Sequence, residues 1–278
     1  MTELTIDIPG LQLAAQAWGD ENLPPLLALH GWLDNSASFE PIAPFLSKHY
    51  RVIALDLPGH GASAHLPPGL PYHYVDYVRA AIAAADALGL DRFSLLGHSL
   101  GAGIASLAAA AVPTRIRELL LVEGLGAMAD DGSRTLERFR EGLAALQERP
   151  RALRVFPDMD AAIAARMAVS NMPAELVRGM VTRSLAKVAG GYRWRSDPRL
   201  ASSTPIRLAE TQVMSLLLGI EASTRLLLAD PAMPYMETET IQARIDCVAD
   251  ITVQRMSGGH HMHLEKPREV AGFLLGTV

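Results

Sequence analysis

The chain has 278 residues, of which 49% are hydrophobic and 20% charged, with a formal net charge of −5. This is enough apolar sequence to bury the core of one domain, or of one domain that carries an insertion. The composition has neither the basic surface of a nucleic-acid-binding protein nor the low hydrophobicity of a disordered chain, so no nucleic acid partner is expected. The single cysteine, Cys247, excludes an intramolecular disulfide framework.

The first ten residues contain neither the basic segment nor the apolar stretch of a secretory signal. The longest apolar stretches, Ile104–Val112 and Met214–Ile220, are too short to span a bilayer. We therefore expect a cytoplasmic protein without a membrane span, and we expect it to be a monomer or a homodimer.

Short strand-like runs alternate with helix-like runs along most of the chain. The predicted strands are Leu4–Ile8, Leu11–Trp18, Leu26–His30, Val52–Leu55, Phe93–Leu96, Ile116–Val122, Thr224–Ala229 and Ile251–Met256. The predicted helices are Tyr72–Leu88, Leu100–Val112, Tyr235–Val248 and Pro267–Leu275. Apolar strands separated by helices predict an α/β fold with a mostly parallel sheet covered on both faces. Reactive groups in such sheets lie at the carboxyl ends of the strands.

The alternation stops between Gly126 and Gly219, where the sequence looks helical and is rich in Ala, Met and Arg. Strand-like sequence resumes at Thr224. We therefore predict a core made of residues 1–125 and 220–278, and a helical cap of residues 126–219 inserted between two sheet strands.

A Gly-x-Ser-x-Gly segment, Gly97 to Gly101, lies between a predicted strand and a predicted helix. A serine on such a turn projects its hydroxyl at the top of the sheet, and the flanking glycines let neighbouring segments approach closely. The amino end of the following helix directs amide dipoles at an oxygen that gains negative charge. This context predicts that Ser99 is a catalytic nucleophile rather than part of a plain glycine-rich turn.

Acyl transfer requires two backbone amides aimed at one oxygen. We expect the amide of Leu100, directly after the nucleophile, and the amide of Trp32, in the loop after an early strand. His30 and Gly31 precede Trp32 and are predicted to border the substrate, with Gly31 allowing a tight turn and the His30 side chain acting structurally. The segment Asp56 to Ser63 is predicted to be a structural turn that Asp56 orders.

Three motifs follow one another: His30-Gly31, the Asp-x-Pro-Gly-x-Gly-x-Ser pattern of Asp56 to Ser63, and Gly97 to Gly101. In this order and spacing they resemble the α/β-hydrolase superfamily over essentially the whole chain, with the middle block matching its cap domain. Within that block, Gly190 to Arg199 is similar to a branch described as serine-hydrolase-like. The resemblance implies a catalytic triad of serine, acid and histidine, with Trp194 either lining the substrate pocket or anchoring the cap.

Three histidines, His260, His261 and His263, lie between the last predicted strand and the last predicted helix. By resemblance to the family's Gly-His-x-x-His-x-Glu-x-Pro pattern, His260 is the general base, His261 is the alternative and His263 is structural. Clustered histidines also bind metals. Because no carboxylate or cysteine set accompanies them in the sequence, we expect no metal, and the proposed chemistry needs no cofactor.

The acid of the triad departs from the usual pattern, in which an Asp follows the strand after the cap. There, Asp230 occupies the usual glycine position and Met233 the usual aspartate position. Asp230 is one candidate. We favour Glu123, because it ends the apolar strand before the cap, where a buried carboxylate needs a partner, and some haloalkane dehalogenases of the superfamily have their acid there. Asp250 is a third candidate.

The expected reaction is hydrolysis of an ester-type bond, in a carboxylester, thioester or lactone, through an acyl-enzyme. Serine at this position argues against dehalogenase and epoxide hydrolase reactions, which use Asp there in this superfamily. The alternatives are a C–C bond hydrolase with the same triad and a non-catalytic ligand-binding member. The Met-rich cap predicts a small-molecule substrate with an apolar acyl or alkyl part, whereas its arginines suit an anionic substrate or a solvated surface.

Overall fold

A computed structural model describes residues 1–147, 153–232 and 238–277 of the chain. Its strands are β1 (Thr2–Ile8), β2 (Leu11–Trp18), β3 (Pro25–Leu29), β4 (Arg51–Leu55), β5 (Phe93–His98), β6 (Ile116–Val122), β7 (Val155–Phe156), β8 (Leu185–Val188), β9 (Gly191–Trp194), β10 (Ser223–Asp230) and β11 (Ile251–Ser257). Eight of them form one sheet in the order β1-β2-β4-β3-β5-β6-β10-β11. The β1–β2 and β2–β4 pairs are antiparallel and the rest are parallel. The predicted mostly parallel α/β sheet is confirmed.

The helices also follow the predicted order. They are α1 (Ala43–Leu46), α2 (Tyr74–Ala87), α3 (Leu100–Ala111), α4 (Thr135–Gln147), α5 (Met159–Ser170), α6 (Ala174–Ser184), α7 (Glu210–Leu217), α8 (Thr238–Ile245), α9 (Met262–Glu265) and α10 (Pro267–Leu275). The first three residues of the helix predicted at Tyr235–Val248 lie outside the described residues, as does Met233.

Helices cover both faces of the sheet because successive side chains of each strand point to opposite sides. On one face Leu27 and Leu29 of β3 are buried together with alanines of α2 and α3. On the other face Leu26 and Ala28 are buried with Leu46 of α1 and with α10. The central strands are therefore apolar throughout, as expected for a sheet without a solvated face.

The chain between β6 and β10 holds helices α4 to α7, but it also contains a small antiparallel sheet in the order β7-β9-β8. The prediction of a helical insertion missed this sheet. A two-residue turn joins β8 to β9 between Val188 and Gly191. Gly190 and Gly191 have φ angles of +84° and +139°, which suit glycine. The glycine pair was the available signal for a hairpin.

The amino end of α3 packs directly onto the carboxyl end of β3. A Cβ atom at Gly101 would lie 1.9 Å from the carbonyl oxygen of Leu29, and one at Gly97 would lie 2.4 Å from the carbonyl oxygen of Gly101. Both glycines of the Gly-x-Ser-x-Gly segment are therefore required by close backbone approach. This contact sets the position of the turn that contains Ser99.

We expect Gly101→Ala to lower the free energy of unfolding by about 3 kcal/mol, because its methyl group overlaps fixed backbone. Urea unfolding followed by circular dichroism measures the change. Gly89→Ala is the control: Gly89 follows α2 at φ +68°, and a Cβ there meets nothing within 4 Å. The control should lose only about 1 kcal/mol, from the left-handed backbone. Equal losses in the two variants would contradict the packing argument.

Candidate active site

Ser99 forms the sharp turn between β5 and α3. Its backbone has φ 53° and ψ −114°, an unfavourable conformation for a residue with a side chain. The Ser99 amide donates to the carbonyl of Val122 at 2.9 Å, and the Ser99 carbonyl accepts from the amides of Ala102 and Gly103. Hydrogen bonds on both sides of the residue thus hold the strained turn. The side chain is only partly buried, which is consistent with a hydroxyl open to a substrate.

Glu123 and His260 meet beside this turn. Glu123 directly follows β6, its side chain is fully buried, and its Oε2 lies 3.4 Å from Nδ1 of His260. Its other oxygen, Oε1, accepts from the Ala229 amide at 2.5 Å. The Glu123 amide donates to Leu227, so the adjacent strand β10 fixes both its backbone and its carboxylate. A carboxylate held in this way can orient an imidazole and stabilise its protonated form.

The two other candidate acids occupy different surroundings. Asp230 is exposed at the end of β10, and Asp250 is exposed just before β11. Because Asp250 precedes its strand, it lies at the opposite edge of the sheet from Ser99. The carboxylate of Glu123 is the one in contact with His260, and this contact favours Glu123 over the alternatives.

The loop after β3 runs beside the amino end of α3, because β3 and β5 are neighbouring parallel strands with Leu29 opposite Gly97. Trp32 and Leu33 form the centre of a turn closed by the hydrogen bond from the Asp34 amide to the Gly31 carbonyl at 3.1 Å. The Trp32 amide is therefore not used in closing that turn. The Leu100 amide is the first of α3 and has no acceptor within the helix.

The His30 side chain is structural, as its position in the turn suggested. It is fully buried, its Nδ1 lies 2.7 Å from the Gly31 carbonyl, and its Nε2 accepts from the Leu57 amide at 3.0 Å. Burial lowers the pKa of His30, so the ring is held neutral. Gly31 is also constrained, because a Cβ there would lie 2.9 Å from Nδ1 of His98.

Asp56 orders the following loop, as predicted. One carboxylate oxygen accepts from the Ser36 amide and the other from the Ala62 amide. Both also accept from Arg183 of α6, at 3.0 and 2.9 Å. Asp56 is fully buried and Arg183, which also pairs with Glu3 of β1, is 10% exposed, so this largely buried ion pair joins the turn after β4 to the inserted segment.

Trp194 lies on β9 of the small sheet. Its ring packs edge-on against Phe156 with centroids 5.3 Å apart. Two of the methionines of the insertion, Met172 and Met180, are buried in the same cluster. Of the two roles considered for Trp194, these contacts favour that of an anchor for the cap, and they assign these methionines to packing.

Several arginines of the insertion pair with carboxylates of the protein. Besides Arg183, they include Arg138 on Asp130, Arg166 on Asp34 and Arg199 on Asp197. The charges of these four arginines are engaged within the protein. They therefore give no support to an anionic substrate.

Asp34 is a site residue that the sequence did not single out. It lies two residues beyond Trp32, its side chain is 1% exposed, and it contacts Arg166 of α5 together with His98 and His261. Burial alone raises the pKa of Asp34, but the hydrogen bond from His261 and the charge of Arg166 outweigh it and hold that pKa well below its usual range. Its partners come from three distant parts of the chain, which explains why no local pattern revealed it.

The sequence model of the protein family described as alpha/beta hydrolase fold matches residues 24–205 of the chain. The chain belongs to the α/β-hydrolase family. It is 30% identical to a serine hydrolase-like protein of Dictyostelium discoideum, over 95% of this chain and 77% of that protein. It is 28% identical to human serine hydrolase-like protein 2, over 99% and 93% of the two chains. The predicted serine-hydrolase-like branch is thereby confirmed.

Two solved structures resemble this α/β hydrolase over their full length. A hypothetical protein of Pseudomonas aeruginosa PAO1 is 35% identical, covers 100% of this chain and 99% of its own, and superposes with a TM-score of 0.92. A thioesterase domain from the curacin biosynthetic pathway is 26% identical, covers 99% of both chains and has a TM-score of 0.88. Within residues 1–147, 153–232 and 238–277, no helix has the length and apolar character needed to cross a membrane.

We expect Asp56→Ala to lower the free energy of unfolding by about 3 kcal/mol, because Arg183 keeps only its pair with the exposed Glu3 and the buried amides of Ser36 and Ala62 lose their acceptor. Thermal unfolding measures the effect. Asp86→Ala is the control, since Asp86 pairs with Arg115 but is 58% exposed, and its loss should stay below about 1 kcal/mol. A loss at Asp56 as small as that at Asp86 would show that the buried pair does not stabilise the hydrolase.

Proposed function

We propose that this α/β hydrolase is a serine hydrolase that cleaves an ester-type bond, in a carboxylester, thioester or lactone, through an acyl-enzyme intermediate. The observation that carries the proposal is the contact of His260 with the buried Glu123 beside the strained turn of Ser99. The nucleophile Ser99, the acid Glu123 and the base His260 then occur in that order along the chain, which is the order typical of this fold. In this proposal the acid comes from β6, and Asp230 is not needed.

In the proposed reaction His260 accepts the hydroxyl proton of Ser99 as the oxygen attacks the substrate carbonyl. Glu123 holds Nδ1–H of the ring, which keeps the opposite nitrogen, Nε2, available for that proton. The amides of Trp32 and Leu100 stabilise the oxyanion of the tetrahedral intermediate.

His260 then returns the proton to the leaving group, which departs as an alcohol or a thiol. A water molecule loses a proton to the same ring and attacks the acyl-enzyme. The acid product leaves and Ser99 is restored. No metal or cofactor takes part in these steps.

Thioesters are a specific candidate within this class, because the curacin thioesterase domain is similar to this chain over its whole length. The non-catalytic alternative rested on the absence of an acid at the usual position. The buried Glu123 beside His260 removes that reason. A cytoplasmic location, a monomeric or homodimeric state, a substrate with an apolar acyl part, and the division into core and cap at residues 126 and 219 all stay predictions.

Ser99→Ala tests the nucleophile. Wild-type protein is assayed with p-nitrophenyl esters of two to twelve acyl carbons, matched acyl thioesters and a lactone, and Ser99→Ala should lower kcat by about 10⁶-fold for each substrate that is turned over. Ser133→Ala, at an exposed serine of the insertion, is the control and should keep full activity. Binding without turnover by the wild type would favour the non-catalytic alternative, and turnover that persists in Ser99→Ala would overturn the proposal.

Glu123→Gln tests the acid separately. The glutamine oxygen can still accept from Ala229, but its amide group disfavours the Nδ1–H tautomer, so kcat should fall roughly 10³- to 10⁴-fold while the Tm changes little. The matched variant Asp230→Asn should keep near-normal kcat. The opposite pattern, with Asp230→Asn impaired and Glu123→Gln active, would assign the acid to Asp230.

A further inference from the structure

Behind the catalytic histidine lies a cluster of three side chains, Asp34, His98 and His261, that the proposed reaction does not use. Oδ2 of Asp34 lies 3.2 Å from Nε2 of His261 and 3.7 Å from Nδ1 of His98. One ligand atom from each residue can be chosen so that all three lie within 4.8 Å of one another. Asp34 and His98 are buried, whereas the His261 side chain is 13% exposed and connects the cluster to solvent.

His98 provides the observation that points to a ligand. Its Nε2 lies 2.8 Å from the carbonyl oxygen of His260, so Nε2 carries the ring proton and donates it. The ring is buried, and Oδ2 of Asp34, 3.7 Å from Nδ1, is too distant to accept a hydrogen bond from a proton there. Its Nδ1 is therefore a lone-pair acceptor, and it has no hydrogen-bond partner among residues 1–147, 153–232 and 238–277.

This lone pair faces a carboxylate oxygen, which is also an acceptor. Two acceptors 3.7 Å apart in a buried site have no favourable direct interaction. A cation between them accepts a lone pair from each, and Nε2 of His261 joins it by releasing the proton of its hydrogen bond to Oδ2. Two ligands at about 2.1 Å from one zinc ion are some 3.2 to 4.2 Å apart, and the separations of Oδ2 of Asp34 from the two imidazole nitrogens fall within that range.

The surroundings of the three side chains match those of protein metal ligands. A metal-binding histidine usually donates its second ring N–H to a backbone carbonyl, as His98 does to His260. A metal-binding carboxylate is usually held by a further hydrogen bond, and Arg166 holds Oδ1 of Asp34. Gly31 lies against both ligand atoms, and a Cβ there would be 2.9 Å from Nδ1 of His98 and 3.0 Å from Oδ2 of Asp34. A glycine keeps this space clear of a side chain.

We propose that Asp34, His98 and His261 bind a divalent transition-metal ion of the zinc class, with the fourth position open on the solvent side of His261. Two imidazoles and one carboxylate favour such ions over magnesium or calcium, which prefer oxygen ligands. The sequence argued against a metal at the three clustered histidines because no carboxylate accompanied them. In the fold, Asp34 of the loop after β3 provides that carboxylate. Of the three clustered histidines only His261 is a proposed ligand, and His98 is the second imidazole.

Isothermal titration of the purified full-length chain with ZnCl₂ tests the site. We expect one ion per chain, and no comparable binding of MgCl₂. His261→Gln and Asp34→Asn should each weaken zinc binding at least about tenfold, whereas His49→Gln, at an exposed histidine before β4 and so at the opposite edge of the sheet, should not change it. Co²⁺ added in place of Zn²⁺ should give visible absorption bands in the wild type that are lost in His261→Gln.

Circular dichroism of the metal-free variants checks that they fold. If Asp34→Asn does not fold, His261→Gln provides the test, because His261 is partly exposed. Ser99→Ala should bind zinc like the wild type, so the result does not depend on whether the protein hydrolyses esters. Zinc binding that is absent in the wild type, or unchanged in both His261→Gln and Asp34→Asn, would overturn the proposal.

Discussion

The close approach of α3 to the end of β3 is the constraint on which the rest of the site depends. Gly101 lies against the carbonyl of Leu29 so closely that no other residue fits, and Gly97 is confined in the same way by the backbone of α3. The helix therefore begins immediately after the strand, and Ser99 must adopt the strained turn between them. The same contact brings the loop of Trp32 beside the first amide of α3. One packing requirement thus positions both the hydroxyl and the two amides expected to act on one carbonyl group.

Buried carboxylates organise the carboxyl edge of the sheet around this turn. Glu123, Asp34 and Asp56 follow β6, β3 and β4, and each is buried with partners from elsewhere in the chain. A buried carboxylate is costly unless its oxygens are paired. Each of the three contacts a defined set of partners: Glu123 contacts His260, Asp56 pairs with Arg183, and Asp34 contacts two histidines and Arg166. The ion pairs of Asp56 and Asp34 connect the inserted segment to the carboxyl edge of the sheet.

The amino-acid sequence by itself determined the parallel sheet and the turn at Ser99. Both follow from local sequence patterns, because fully apolar strands, helical spacing and the glycines at 97 and 101 are each recognised within a few consecutive residues. It also indicated Glu123, since an acidic residue at the end of an apolar strand requires a partner. The hairpin of β8 and β9 was missed, because its four-residue strands are too short to stand out from the helical pattern around them.

Only the tertiary structure decided which groups meet. His260 is separated from Glu123 by 137 residues, and β10 must lie beside β6 before the Ala229 amide can fix the carboxylate. The same holds for Asp34, whose partners come from α5, from the last residue of β5 and from the loop after β11. Contacts of this kind depend on the order of strands in the sheet, and strand order is set by packing over the whole domain rather than by any local run of residues.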